Sequence, residues 1–416
     1  MAYTSVTDAL ARLFQASSPI NDVEICSLHH CAGRTLAETL TTSSPIPRFD
    51  RAAMDGYAVQ SRDLPGQLTV MGTIGAGDIP SLACQSGQAY RIFTGAPLPP
   101  GADAVVEQEQ AMADNGLVRI GSRVKPGRNI SPSGSEFAAD TVVLGRGQRL
   151  GPIHVGLVAT LGLNSVRVLR KPRVLLVTTG TELVLPGSHL PAAHIYDANR
   201  FVLTTWLEAA GAQVTALPIV PDIPGLFISE LHQALAMVPG FDMVITTGGV
   251  SVGDKDDVIQ SLRENSHLLF WRADMHPGKS IAGSVVDNVP VLSLSGNPGA
   301  AMTSWVMLGV PWLAYMHHGR IRQEIVFGCL TDGFPKATRE TRYLRSRIIA
   351  DKSGNMFDLS LPQQSDLLSS YAVADAFAII PQGSPPIAPG TVITGLRTPG
   401  LGSTALSWDP SEKEEN

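Results

Sequence analysis

Two short stretches put acids and cations where an ordinary turn needs neither. "TTGGVSVGDKDD", Thr246 to Asp257, sets Gly248, Gly249, Ser251 and Gly253 ahead of Asp254, Asp256 and Asp257. "DMHPGKS", Asp274 to Ser280, places His276 and Lys279 around a Pro-Gly pair. Glycine-rich turns expose backbone N–H groups that suit phosphates and other oxyanions, above all where a helix begins. Acids beside such a cradle repel a phosphate unless a cation lies between. Mg2+ fits, because it binds through one or two carboxylates together with substrate phosphates. Lys255, Arg272 and Lys279 supply local positive charge, and His276 does so when protonated. Asp257 is expected instead at a helix N-terminus, where the dipole favours an acid.

Two further turns have the same texture. "VTTGTEL" carries Gly180, Thr181 and Glu182, and "LSGNPGAA" carries Ser295, Gly296 and Asn297 at a helix start, with Pro298 at its first position. In open α/β sheets ligands bind beyond the carboxyl ends of the strands. Three such ends in one domain point to an anionic, nucleotide-like ligand, against the ordinary use of Gly and Asn in βα turns. A Walker loop is excluded: "GGVSVGD" has Asp254 where the Lys belongs, and "HPGKS" has Ala273 at the first Gly position. "GTIGAG" leads into no helix, so no dinucleotide fingerprint is read there. A last acid stands in "PRFDRAAMDGYAV", where Asp55-Gly56 is either a plain hairpin turn or a functional carboxylate.

The elements that must position these residues follow from texture. Residues 5–16 form an amphipathic helix with Leu10, Leu13 and Phe14 on one face. From about 45 to 145 short β-rich runs alternate with Gly and Pro, which reads as a small β domain. From about 170 apolar strands and helices alternate: strands at 172–180, "QVTALPIV", 241–249 and 289–296, with helices between them. That is the pattern of a parallel, helix-flanked sheet. Asp197 or Asn199 caps the helix at 198–211. After about 325 the texture is β again, a small barrel or sandwich, and the charged tail from 404 is expected to be mobile.

Composition bounds the rest. At 44% hydrophobic and 16% charged, the 416 residues suit a globular chain of several domains. A net charge of −6 offers no basic field for nucleic acid. The four Cys are too sparse for a disulfide scaffold, and "CSLHHC" lacks the paired knuckles of a zinc site. The N-terminus lacks a signal-peptide core, and Thr303, Ser304, Gly309 and Pro311 interrupt the apolar run Gly299 to Met316, which reads as a buried helix. No membrane partner is expected, and the location is expected to be cytoplasmic.

"FDRAAMDGYAV", "TGAPLPPGADAVV", "TTGTEL", "TTGGVSVGDKDD", "HPGKS" and "SGNPGAAM" occur in that order. Together they closely resemble the molybdopterin molybdenumtransferase family, which includes MoeA and the gephyrin E domain. The resemblance runs from about residue 5 to about 400. It implies a multidomain α/β and β fold: an elongated first domain from 1–46 and 140–168, an inserted β-rich domain at 47–139, a MogA-like three-layer α/β domain with a parallel sheet at 169–325, and a C-terminal β-barrel at 326–403, with 404–416 as tail. It also implies a homodimer with an active site composed across subunits, an adenylyltransferase upstream and molybdoenzymes or their chaperones downstream. The implied reaction inserts molybdate into adenylylated molybdopterin with Mg2+-dependent release of AMP; a variant function would bind or modify a molybdopterin nucleotide, or insert tungstate, instead.

By position, the resemblance assigns working roles to Asp55, Glu182, Asp222, Asp256 and Lys279. Glu182, Asp222 and Asp256 are the implied metal carboxylates. Thr94, Glu136, Gly248, Gly249, Ser251, Gly253, His276, Ser295, Asn297, Pro298, Arg345 and Ser365 are the implied substrate contacts. This chain departs from the family where His276 replaces a common Lys or Arg, where Ser295 precedes Gly-Asn-Pro, and where Gln364 precedes Ser365 with Asp366 next. A weaker cation and an extra acid both lower affinity for an oxyanion near neutral pH.

Overall fold

Within the strand Arg173–Thr178, Val174–Val177 is an unbroken apolar run, and burial on both faces explains it: Val174 through Val177 are fully inaccessible. Each such side chain contributes on the order of 1.5–3 kcal/mol of burial, as an upper bound. In the computed structural model, which describes residues 3–236, 240–251, 257–318, 323–351 and 354–397, this strand is second in a six-stranded sheet. The order is Gln213–Ala216, Arg173–Thr178, Met243–Thr247, Val289–Leu294, Ala282–Val286, His267–Trp271. The first four strands run parallel. The last two are antiparallel additions that the alternating texture did not separate.

Helices Ala198–Ala209 and Leu226–Leu235 cross between parallel strands, as the pattern predicted. Asp197 is the cap of the first, accepting from Arg200 N at 3.0 Å. The apolar run near 299–316 is a buried helix with a π segment: Pro298–Ser304, Trp305–Gly309 and Val310–Met316. Among the described residues no helix is long and apolar enough to cross a membrane. The N-terminal helix Val6–Gln15, capped by Ser5, buries Ala9 and Leu13 in the same core.

The chain divides into two compact units. One comprises Met1–Glu24, Gly33–Thr35 and Val168–Asn416, and holds the six-stranded sheet and a closed barrel. The barrel strands are Glu324–Leu330, Gly354–Asp358, Arg342–Asp351, Ala376–Ile380 and Val392–Arg397. The expected tail, 404–416, lies outside the described residues. The other unit comprises Ile25–Ala32 and Leu36–Arg167. Its core is a six-stranded sheet of short strands between Gly56 and Ile120. Leu40–Thr41 pairs with Val142–Leu144, drawing two distant chain segments together. "CSLHHC" is a 3-10 turn, Leu28–His30, between buried Cys26 and Cys31, and none of the four cysteines is in a disulfide among the described residues.

The Asp-Gly pair at 55–56 makes no hairpin. Gly56 opens the strand Gly56–Val59, which is paired on both sides, and its backbone is not left-handed. Gly is required by crowding instead: a Cβ there would lie 1.9 Å from the Val106 carbonyl oxygen.

Candidate active site

The three glycine-rich turns belong to adjacent parallel strands, so the sheet itself brings them together. Arg173–Thr178 runs into Thr179-Gly180, Met243–Thr247 into Gly248-Gly249, and Val289–Leu294 into Ser295-Gly296-Asn297. Side chains behind them fix the spacing. Asn199 Nδ2 donates to Thr247 Oγ1 (2.9 Å) and to the Gly296 carbonyl (2.8 Å). Thr247 Oγ1 in turn donates to the Ser295 carbonyl at 2.9 Å. Gly248 has φ +108°, and a Cβ there would sit 2.4 Å from the Thr179 carbonyl oxygen, so no other residue lets these two turns approach.

The result is a cleft of about 410 Å3 over the strand ends. Of the expected residues, Glu182, Asp222, Gly248, Gly249, Ser251, His276, Lys279, Ser295, Asn297 and Ser365 line it. Asp222 is fixed by a reciprocal pair: Thr181 N donates to its Oδ2 at 3.1 Å, and its own N–H donates to Thr181 Oγ1 at 3.0 Å. Glu182 and Asp222 also line a neighbouring cavity of about 750 Å3, with Thr181, His194, Asp257 and Gln260. Asp257 begins the helix Asp257–Asn265 and accepts from Gly225 N at 3.2 Å, the helix-terminal role expected of it. Gly253 and Asp256 lie outside the described residues, as do Asp254 and Lys255.

Ser365 reaches the cleft from the barrel loop, with Asn297 Nδ2 at 3.5 Å and its carbonyl accepting from Ala300 N. Arg345 stands behind that loop rather than in the cleft. It is fully buried, and its guanidinium donates to the carbonyls of Pro362 (2.8 Å) and Gln364 (3.1 Å) while facing the Tyr371 ring at 4.9 Å. It acts on the cleft by shaping the segment that presents Ser365. Pro298 likewise serves as first residue of the helix Pro298–Ser304.

His276 is half-buried. Its backbone is stitched to the entry of the barrel strand Arg342–Asp351: His276 N donates to the Thr341 carbonyl and Tyr343 N to the His276 carbonyl, each at 2.9 Å. Burial, then the nearby Arg342 and Lys279, push its pKa below the usual value against the opposing pull of Glu340, so the ring is neutral at pH 7. Lys279 is the cation among the described residues that line the cleft; Glu340 accepts a hydrogen bond from it, the Tyr3 ring lies against it, and together they hold its pKa up. Asn199, Tyr3, Glu340 and Arg342 were not singled out from sequence as parts of this site. Asn199 had a signal, a polar residue in the first turn of an apolar helix, but it read as a cap.

Asp55, Thr94 and Glu136 belong to the other unit. Asp55 is exposed, and its Oδ1 accepts from Thr94 N and Thr94 Oγ1, both at 2.7 Å. Those two bonds, the backbone one first, hold its pKa below the usual carboxylate value, with Arg91 assisting. Arg91 is anchored to the Gly56 carbonyl at 2.8 Å and lies over Tyr57 and Phe93. Glu136 is exposed, its N–H donating to the Ile46 carbonyl at 3.0 Å.

Residues 4–162 match the model of the MoeA N-terminal region (domain I and II). Residues 175–315 match a probable molybdopterin binding domain, and 328–396 the MoeA C-terminal region (domain IV). The molybdopterin molybdenumtransferase of Haemophilus influenzae is 32% identical over 377 residues, covering 89% of this chain and 93% of the relative. That of Bacillus subtilis is 34% identical over 383 residues, covering 87% of each. The crystal structure of the molybdopterin biosynthesis MoeA protein from Pyrococcus horikoshii OT3 superposes with a TM-score of 0.79 at 26% identity, covering 95% of this chain and all of that one. Fold, strand-end cleft and likeness along the whole chain agree: this chain belongs to the MoeA family of molybdopterin molybdenumtransferases.

Proposed function

We propose that this chain inserts molybdate into adenylylated molybdopterin and releases AMP. The observation that carries the reading is the convergence of three strand ends on one cleft holding Lys279, Glu182 and Asp222. It occurs in a chain whose relatives over almost their full length are molybdopterin molybdenumtransferases.

The chemistry requires no covalent nucleophile from the protein, because the dithiolene sulfurs of the substrate take the metal. The protein must hold an anionic nucleotide, offset the charge on its phosphate and keep the two substrates together. Lys279 supplies the fixed positive charge. The strand-end turns and Asn297 give a floor for the phosphate, and the 750 Å3 cavity beside it gives room for the larger organic part of the substrate. Mg2+ would be held by Glu182 and Asp222, with Asp256 the third carboxylate that the family resemblance assigns. Two carboxylates facing one cleft suit an ion that takes its other ligands from phosphate and water. Bound there, it would neutralise charge on the leaving phosphate.

The active assembly is a homodimer in this reading, the Asp55 face of one chain completing the cleft of its partner. Exposed Phe49, Met54 and Phe93, on the segments that carry Asp55 and Thr94, support a face that becomes covered. The enzyme works in the cytoplasm, taking its substrate from an adenylyltransferase and passing the cofactor to molybdoenzymes. Incubation with adenylylated molybdopterin, molybdate and Mg2+, followed by reconstitution of a cofactor-free molybdoenzyme, tests the whole reading. Active molybdoenzyme is expected; tight binding of the nucleotide with no transferable cofactor overturns it.

A further inference from the structure

Lys279 is already engaged when it reaches the cleft. Its ammonium donates to Glu340 Oε1, and Nζ lies over the Tyr3 ring, 4.5 Å from its centroid. An ammonium has three donors, so Glu340 does not exhaust them and a ligand can still be bound. Both partners are carried on backbone tied to the loop that carries Lys279. Thr341, next to Glu340, donates from N and Oγ1 to Asp274 at 3.3 and 3.1 Å. Thr4, next to Tyr3, donates from N to the Arg272 carbonyl at 3.1 Å and accepts from Asp274 N at 2.8 Å. The Glu340 side chain is only 15% exposed, so pulling Lys279 away would strand a shielded carboxylate. An incoming anion therefore meets the ion pair, not a free lysine. Other charged groups at this corner are Asp274, Arg342 and, when protonated, His276, with Arg345 behind, and Glu182 and Asp222 line the same cleft.

We propose that Glu340 sets the affinity of this cleft for oxyanions: it is an internal counter-ion that blunts the hold of Lys279 in proportion to the negative charge of the ligand, and so keeps an anionic product releasable. The inference rests on the cleft being the nucleotide site proposed above. Glu340 is a positioning and charge-setting residue here, not one that touches the reacting atoms. Its bond to Lys279 is also the first cause of the raised pKa of that lysine, so the ammonium stays charged across the neutral range.

The test is calorimetric binding of AMP and of adenosine to the full chain, its Glu340→Gln and Lys279→Met variants, and the double variant. Glutamine keeps the shape and an acceptor for Lys279 while removing the charge. Removing one charge about 6–8 Å from a phosphate in a largely aqueous setting is expected to tighten AMP binding about three- to ten-fold. Adenosine binding is expected to stay unchanged. The direct charge part of the gain should persist in the Lys279→Met background, any further part that acts through Lys279 should be lost there, and both should shrink as salt is raised. Glu340→Ala should shift AMP in the same direction if Glu340→Gln folds poorly. Unchanged or weaker AMP binding in both Glu340 variants, or an equal gain for adenosine, overturns the inference while leaving the nucleotide site intact. Failure of the unaltered chain to bind AMP defeats the nucleotide reading, and this inference with it.

Discussion

The face around Asp55 and the cleft around Lys279 are built in different ways. Asp55 gets its geometry from one ladder: strand Gly56–Val59 lies beside Gln88–Ile92, and that pairing delivers Thr94 to the Asp55 carboxylate. The cleft draws on residues from Thr179 to Ser365, gathered by three strand ends, a loop stitched to the barrel and a buried arginine. Two hydrogen bonds from Thr94 lower the Asp55 pKa on an exposed surface, whereas a carboxylate from a distant loop raises that of Lys279. The contrast teaches that a carboxylate can be tuned by one pair of neighbouring strands, while an oxyanion cleft draws on several elements to balance its charges.

The contrast breaks most visibly at Lys279. Lys279→Ala should lower single-turnover AMP release about 10²–10³-fold, the usual effect of removing one charge-stabilising donor, with a small fall in melting temperature as the shielded Glu340 carboxylate loses its partner. A loss below about ten-fold would remove Lys279 from the account. Asp55→Ala should cost about 10²-fold in the same assay and leave the melting curve unmoved, because the side chain is exposed. Mixing that chain with a Lys279→Ala chain should restore part of the activity, since one site of a mixed dimer is whole. Failure of the rescue would count against a site shared across subunits.

Arg345→Met tests the buried end of the cleft. It removes donors from the Pro362 and Gln364 carbonyls inside the protein and should destabilise it by about 2–4 kcal/mol in chemical unfolding, unlike either variant above. Thr94→Val is the smallest and sharpest change. Thr94 donates to the charged form of Asp55, so losing its hydroxyl moves the Asp55 pKa up towards the ordinary value. Activity that needs the ionised carboxylate should then fail at a higher pH as the solution is acidified. The acid limb should move up only part of the way to the ordinary carboxylate range, because the bond from Thr94 N persists.

Where a local rule and the tertiary packing asked for the same residue, the sequence could be read. The four parallel strands lay within apolar stretches, glycine-rich ends followed three of them, and the cleft of an α/β sheet lies at such ends. The antiparallel strands Ala282–Val286 and His267–Trp271 were missed because the text between helices gave no second alternation to mark them. Gly56 was read through turn chemistry, yet its cause is the Val106 carbonyl on the neighbouring strand, about which nothing in "MDGYAV" speaks. Arg345 matched a pattern by position, and only burial shows that it supports a loop. Glu340 lies 61 residues from Lys279, and no spacing rule links a carboxylate to a lysine across that distance.

The most direct test of the account is AMP release from adenylylated molybdopterin by the unaltered chain, with Mg2+ present and with molybdate, tungstate or no metal oxyanion added. The account predicts release that depends on molybdate and collapses in the Lys279→Ala variant. AMP retained under every condition, or released equally without any metal oxyanion, would contradict it and make the cleft a nucleotide-holding site rather than a transferase centre.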